Sequence, residues 1–178
     1  MFIVGIISGF IVAIIQSQIA FAIELIIIYP FLEQIVKTMI LNLKRYQEKQ
    51  VTILYGLGLG LGFGSIYPPA SLLLLSDDIT AGSDLLLILL GSIGLVFLHG
   101  VTGALIGYGI YKGKLTTYYL FAVVILIIAN IIRLDYSIQW INLILGTILF
   151  WYIHREIIKT IGMIAERRKR VTKTTREE

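Results

Sequence analysis

Residues 85–111 read LLLILLGSIGLVFLHGVTGALIGYGIY and contain no Asp, Glu, Lys or Arg. About 20 apolar residues in a helix are needed to cross the hydrocarbon core of a bilayer, and this stretch is longer than that. The whole chain agrees, since 57% of its 178 residues are hydrophobic, 15% are charged and the mean hydropathy is +0.89. Soluble domains carry a larger share of charged residues. The sequence therefore predicts an integral membrane protein and excludes a single-domain enzyme in aqueous solution.

Five further apolar stretches surround this segment, so that six crossings are predicted. Two lie within residues 2–43, with a break between Gln16 and Pro30, and the others cover about 51–75, 85–111, 115–132 and 138–160. We expect an all-α, polytopic transmembrane helical bundle of about six helices over residues 1–160. Residues 161–178 form a basic cytoplasmic tail in this interpretation.

The three prolines of the chain are expected to punctuate these helices. Pro30 is predicted to interrupt the helical run near the N-terminus, because proline lacks the N–H that a helix interior needs. Pro68 and Pro69 are predicted to end or kink the third crossing for the same reason.

The loop charges predict the orientation. With six crossings, every basic loop group falls on one side, and the positive-inside rule makes that side cytoplasmic. The opposite loops hold four Asp and one Arg. We therefore expect a multi-pass protein of the cell membrane with both termini in the cytoplasm. The basic groups are Lys44, Arg45 and Lys49, then Lys112 and Lys114, then the eight from Arg155 to Arg176; the residues opposite them are Asp77, Asp78, Asp84, Asp135 and Arg133.

Glycines recur with helical spacing in the third crossing. Gly56, Gly60 and Gly64 form one ridge of small residues, and Gly58 and Gly62 form another on a different face. Such ridges let membrane helices approach at backbone distance. We therefore expect the third crossing to pack closely on two neighbours, with the second and fourth crossings sharing the bundle centre. The matching surface of the fourth crossing is Gly91, Gly100, Gly103, Ala104 and Gly107.

Four ionisable residues of the predicted crossings matter here: Glu24, Glu33, Lys37 and His99. Because a charge in the bilayer is costly, each is a candidate functional residue. Glu33 and Lys37 lie four apart on one helical face, where they can form an ion pair. In one interpretation this pair and a neutral His99 only fix helix packing. In the other, Glu33 is a base in a water-containing site and His99 polarises a carbonyl or binds a metal.

The residue types leave the cofactor open. A catalytic zinc normally has three protein ligands. Glu33 and His99 supply two, and the second histidine, His154, sits near a helix end. The sequence therefore does not support a particular metal site. Since the chain has no cysteine, disulfides and thiolate metal sites are excluded.

Three motifs follow one another over about residues 29–113. They read YPFLEQIVK at 29–37, YGLGLGLGFGSIY at 55–67 and HGVTGALIGYG at 99–109. In order and spacing they resemble the PrsW family of intramembrane proteases, which is related to the type II CAAX-processing endopeptidases. That family's pattern is Glu-Glu-x-x-Lys, then a glycine-rich helix ending in Gly-Phe-x-x-x-Glu, then His-x-x-x-Gly followed by Gly-Tyr-x-x-Gly.

The resemblance implies an active-site set of which Glu33, Lys37 and His99 are present here. Gln34 stands where the family pattern has its second glutamate, and Tyr67 stands where the second motif ends in glutamate. A tyrosine hydroxyl is a poor substitute for a carboxylate base at neutral pH. The resemblance thus implies a relative that has lost proteolysis and serves as a structural, binding or accessory subunit of a membrane assembly. The alternative is an intramembrane protease that cleaves membrane protein substrates with Glu33 and His99.

The C-terminal tail suggests the partners. Arg167, Arg168, Lys169 and Arg170 follow an apolar run and are attracted to anionic lipid headgroups. The alternative is docking to an acidic subunit of the same membrane assembly. Nucleic acid is excluded as a partner, because no aromatic interleaving and no recognisable binding module accompanies these charges.

Overall fold

The computed structural model describes residues 1–17, 24–46, 51–74 and 82–158, and no strand occurs among them. The prediction of an all-helical fold is confirmed. Short π-helical turns at Glu24–Ile28 and Ile153–Ile158 adjoin α2 and α7. The tail over 161–178 and the acidic loop with Asp77 and Asp78 lie outside the described residues. The helices are α1 (Phe2–Ser17), α2 (Tyr29–Leu41), α3 (Val51–Gly64), α4 (Tyr67–Leu74), α5 (Gly82–Lys112), α6 (Leu115–Arg133) and α7 (Ile141–Tyr152).

Three helical stretches of the described chain are long and apolar enough to cross a membrane: Val51–Ala70, Leu85–Lys112 and Leu115–Arg133. A shorter apolar helix covers Phe2–Ile15. This is consistent with a membrane protein. The count of six crossings and the cytoplasmic location of both termini stay predictions.

Unlike a soluble protein, the described chain has a largely apolar surface, and polar side chains lie within its apolar core. Large apolar side chains cover the outside; Ile3 of α1, for example, is 71% exposed. Contiguous apolar surface of this kind is rare on soluble monomers and is expected where lipid is the solvent. The polar and charged side chains buried in the interior are those of Glu33, Gln34, Lys37, Thr52, Ser92, His99, Thr102, Gln139 and Asn142.

Pro30 does not interrupt the helical run, and this prediction is wrong. The π-helical turn Glu24–Ile28 continues directly into α2 at Tyr29. Pro30 is the second residue of α2, where a missing N–H and a fixed φ are tolerated. α1 ends at Ser17 and the π-helical turn begins at Glu24, and both lie within the stretch from Gln16 to Pro30 where the break is expected. Residues 18–23 lie outside the described chain.

The break expected near Pro68 and Pro69 is confirmed. α3 ends at Gly64, and α4 begins at Tyr67 after a two-residue turn. Neither proline can donate a hydrogen bond to the carbonyl four residues earlier, so the ladder of the helix is interrupted here. Tyr67 therefore starts a new helix, from which its hydroxyl reaches Glu33 of α2.

The first glycine ridge of α3 packs on α5 at backbone distance, as predicted. A β-carbon at Gly56 would collide with the carbonyl oxygen of Gly103, and one at Gly60 would collide with the carbonyl oxygen of His99. At Gly64 it would lie 2.8 Å from the Cα of Val96. Only glycine permits this approach, which brings the backbone of α3 against the helical turn that carries His99.

The second ridge packs on α1, so the prediction of two close neighbours for the third crossing is confirmed. The second neighbour is not α2, which has few contacts with α3, so the second crossing does not share this close packing as expected. A β-carbon at Gly62 would collide with the carbonyl oxygen of Phe2. One residue of the predicted matching surface lies elsewhere, because Gly91 faces Gln139, next to α7, and not α3. α5 extends beyond the end of α3 there, and α7 occupies the space. α5 is consequently the central helix, with α3, α6 and α7 packed around it.

A short polar turn joins α6 to α7. The carboxylate of Asp135 accepts hydrogen bonds from the hydroxyl of Ser137 (2.7 Å) and from its backbone N–H (2.9 Å). Both hydrogen bonds stabilise the ionised carboxylate and hold the pKa of Asp135 below its usual value, and the hydroxyl has the larger effect. This turn therefore keeps its negative charge over the physiological pH range.

Candidate functional site

The predicted site residues Glu33, Lys37 and His99 meet in one buried cluster between α2, α4 and α5. Each of them is at most 2% exposed. Glu33 and Lys37 lie on one face of α2, as their spacing of four predicts. That face turns inward because its other buried members, Tyr29, Pro30, Gln34 and Leu41, follow the same helical period.

The carboxylate of Glu33 is bound by Tyr67. The phenolic hydroxyl of Tyr67 donates a hydrogen bond to Oε1 of Glu33. The guanidinium carbon of Arg133, at the end of α6, lies 5.5 Å from the centre of the Tyr67 ring. The positive charge of Arg133 thus lies over the aromatic ring whose hydroxyl contacts the carboxylate. A cation over an aromatic face is attracted to it.

His99 is enclosed by two aromatic rings. Its imidazole stacks on Tyr67 with ring centres 4.9 Å apart and planes inclined by 14°. Phe63 of α3 lies on it at 5.2 Å. Nδ1 of His99 is 2.9 Å from Nζ of Lys37. Because an ammonium can only donate, a protonated Lys37 requires an unprotonated Nδ1 and places the ring proton on Nε2.

Lys37 contacts α5 and not Glu33. Its ammonium donates to Oγ1 of Thr102 at 3.2 Å, in addition to its contact with His99, and lies 4.8 Å from the centre of the Phe63 ring. The expected direct ion pair of Glu33 with Lys37 is therefore not formed between the described side chains. The helical spacing only brings the two within reach. Acceptors on α5 and a donor on α4 engage them separately.

The sequence reading missed Thr102 and treated Gln34 and Tyr67 only as losses. Oγ1 of Thr102 accepts from Lys37 and from Nε2 of Gln34 (3.5 Å), and it donates to the carbonyl oxygen of His99 (3.1 Å). The single donor position and both acceptor positions of the Thr102 hydroxyl are thus used. The spacing of three from His99 could have identified Thr102, since such residues share a helical face.

The chemistry of the arrangement is that of a closed polar contact between helices. Glu33 is hydrogen-bonded to a phenol, Nδ1 of His99 meets an ammonium, and the imidazole contacts two aromatic rings.

The described residues contain no group of three or more His, Cys, Asp or Glu side chains that could hold a metal ion. His154, the other histidine, is exposed in the π-helical turn after α7. The residues brought together around Glu33 and His99 are therefore Lys, Gln, Thr, Tyr and Phe. Of these, only the tyrosine offers an oxygen with appreciable acidity.

No family model, curated protein or solved structure matches this chain.

Proposed function

We propose that this chain is a multi-pass protein of the cell membrane that serves as a structural, binding or accessory subunit of a membrane assembly. In this proposal the cluster around Glu33 and His99 fixes the packing of α2, α4 and α5 and does not hydrolyse peptide bonds. The sequence motifs link the chain to PrsW-type proteases, and the altered positions Gln34 and Tyr67 separate it from their activity. The observation that carries the proposal is the hydrogen bond from Tyr67 to Glu33.

This hydrogen bond supports a packing role for two reasons. First, a general base must contact the water or substrate proton that it removes. On Oε1 of Glu33 that position is taken by the hydroxyl of Tyr67. Second, Tyr67 takes the place that the family pattern gives to a carboxylate, so that a repulsive pair of acids becomes an attractive donor–acceptor pair. The cluster is thereby stabilised in a closed form.

The second candidate is an intramembrane protease with Glu33 as base and His99 as electrophile. It is favoured by the proximity of the two, since both contact the same Tyr67 side chain. For hydrolysis, Tyr67 would have to turn away so that water could enter. The two candidates therefore differ in whether Tyr67 holds the cluster shut.

A cleavage assay separates the two candidates. We expect the purified protein in liposomes to cleave a panel of fluorogenic transmembrane peptides no faster than empty liposomes, because Glu33 is occupied. We also expect the natively extracted protein to migrate as a stoichiometric complex. Cleavage that Glu33→Gln and His99→Ala both abolish would establish the protease and refute the subunit role. The exposed residue Ile3 offers a control, Ile3→Ala, which should change neither result.

Cysteine labelling tests the proposed topology without background, because the chain contains no cysteine. Lys114→Cys in the α5–α6 turn and Thr175→Cys in the tail should react only after the membrane is permeabilised. Leu134→Cys, at an exposed position after α6, should react in intact cells. Reaction of positions 114 and 134 from the same side of the membrane would refute the six-crossing arrangement.

A further inference from the structure

A cleft of about 350 Å³ opens where the end of α2 meets the turn between α5 and α6. Small-molecule pockets begin at about this size, which suits a headgroup. At Gly113, φ is +67°, a conformation that favours glycine, and a β-carbon there would meet nothing within 4 Å. The cleft is thus open to a ligand beside this turn. Its lining is Asn42, Gly109, Ile110, Gly113 and Leu115.

The cleft has a one-sided charge environment. Lys112 and Lys114 flank Gly113, while Lys44 and Arg45 closely follow Asn42, and all four basic side chains are exposed. Neither segment 42–46 nor segment 109–118 contains Asp or Glu. A concave surface surrounded by charges of one sign concentrates ions of the opposite sign. The ligand chemistry that this predicts is anionic.

The position of the cleft favours a lipid over a soluble anion. The turn joins Leu85–Lys112 to Leu115–Arg133, and both helices are long and apolar enough to span a membrane. When they do so, the turn lies at the level of the headgroups. Beside the cleft, Met39 and Leu43 expose most of their apolar side chains. An anionic head with apolar chains complements both surfaces, whereas a free phosphate complements only the charges.

We propose that this cleft binds the phosphate headgroup of an anionic phospholipid, with Lys112 and Lys114, which flank its lining residue Gly113, as the cations that turn toward the bound headgroup. Without the lipid, Nζ of Lys112 lies 5.6 Å from the centre of the Tyr108 ring and 5.5 Å from that of Tyr111. The site is separate from the cluster around Glu33 and His99, and it uses no residue of that cluster. It would hold the ends of α2, α5 and α6 together at the membrane surface. It also differs from the attraction of lipids to the C-terminal tail, which requires no cleft.

Native mass spectrometry of the delipidated protein tests this site. We expect phosphatidylglycerol to bind in preference to phosphatidylcholine. Lys112→Gln with Lys114→Gln should weaken phosphatidylglycerol binding by about thirtyfold, roughly fivefold for each lysine. The matched comparison, Lys169→Gln with Lys173→Gln, removes two charges from the tail and should weaken binding by less than about fivefold, because the tail attracts lipid without a cleft. Gly113→Asn keeps a residue that tolerates positive φ, adds a side chain at the edge of the cleft and should also weaken binding.

Three outcomes would overturn the proposal. Equal losses for the turn and tail variants would assign binding to general charge attraction. Undiminished binding by Gly113→Asn, with helix content unchanged, would show that the cleft is not the site. Equal protection of the protein against thermal unfolding by millimolar inorganic phosphate and by phosphatidylglycerol would assign the site to free phosphate.

Discussion

Gly60→Ala should destabilise the protein by about 3 kcal/mol, the upper end of what overpacking usually costs. The added β-carbon would collide with the carbonyl oxygen of His99, which belongs to backbone and cannot rotate away. α3 and α5 would have to separate, and Phe63 would lose its contact with the imidazole. Alanine otherwise favours a helix over glycine by up to about 1 kcal/mol, so the loss is net of this gain.

The same helix provides a matched control in Gly58→Ala. A β-carbon there would lie 3.7 Å from the Cβ of Met1, an ordinary van der Waals contact. Its unfolding free energy should equal that of the parent protein or exceed it by up to about 1 kcal/mol, the helix preference of alanine. Both variants can be compared by reversible unfolding in mixed micelles, followed by circular dichroism. Equal effects of the two would contradict the backbone contact of α3 with α5.

The success of the glycine prediction has a physical reason. A ridge of small residues has one main use in a membrane helix, so the spacing of Gly56 and Gly60 predicts both a close contact and the face that makes it. Which helix fills that contact depends on the whole bundle. This is why Gly91, which belongs to the same type of pattern on α5, faces Gln139 and not α3.

Proline was a less reliable guide for a similar reason. Pro68 and Pro69 coincide with a break, whereas Pro30 lies at the start of α2 just after a π-helical turn. The lost N–H matters only where a helix would otherwise use it. The sequence shows where proline occurs, but whether a proline interrupts a helix depends on where that helix begins.

The sequence predicts which residues form the cluster better than it predicts which of them contact one another. Glu33, Lys37 and His99 do meet, because their spacing and burial direct them to one interface. Their partners could not be assigned, since each side chain chooses among donors and acceptors on several helices. Tyr67 illustrates this: as a missing carboxylate it indicated a loss, whereas in three dimensions it bonds Glu33 and stacks on His99.

Tyr67→Phe should cost about 2 kcal/mol, because it leaves a buried carboxylate without its donor. Neutral hydrogen bonds between membrane helices average only about 0.6 kcal/mol, so a value near 2 would be diagnostic of the charged acceptor. The matched control is Tyr29→Phe. Tyr29 is less exposed than Tyr67, but its hydroxyl has no hydrogen-bond partner among the described residues, and its removal should cost nothing.

The double-mutant cycle of Tyr67→Phe and Glu33→Met measures this contact most directly. The unfolding free energies of the parent, the two single variants and the double variant give the coupling of the two side chains. We expect a coupling of about 2 kcal/mol and no peptide cleavage by any of the four proteins. A coupling near zero, or cleavage that appears with Tyr67→Phe and disappears with Glu33→Met, would contradict a cluster held shut by Tyr67.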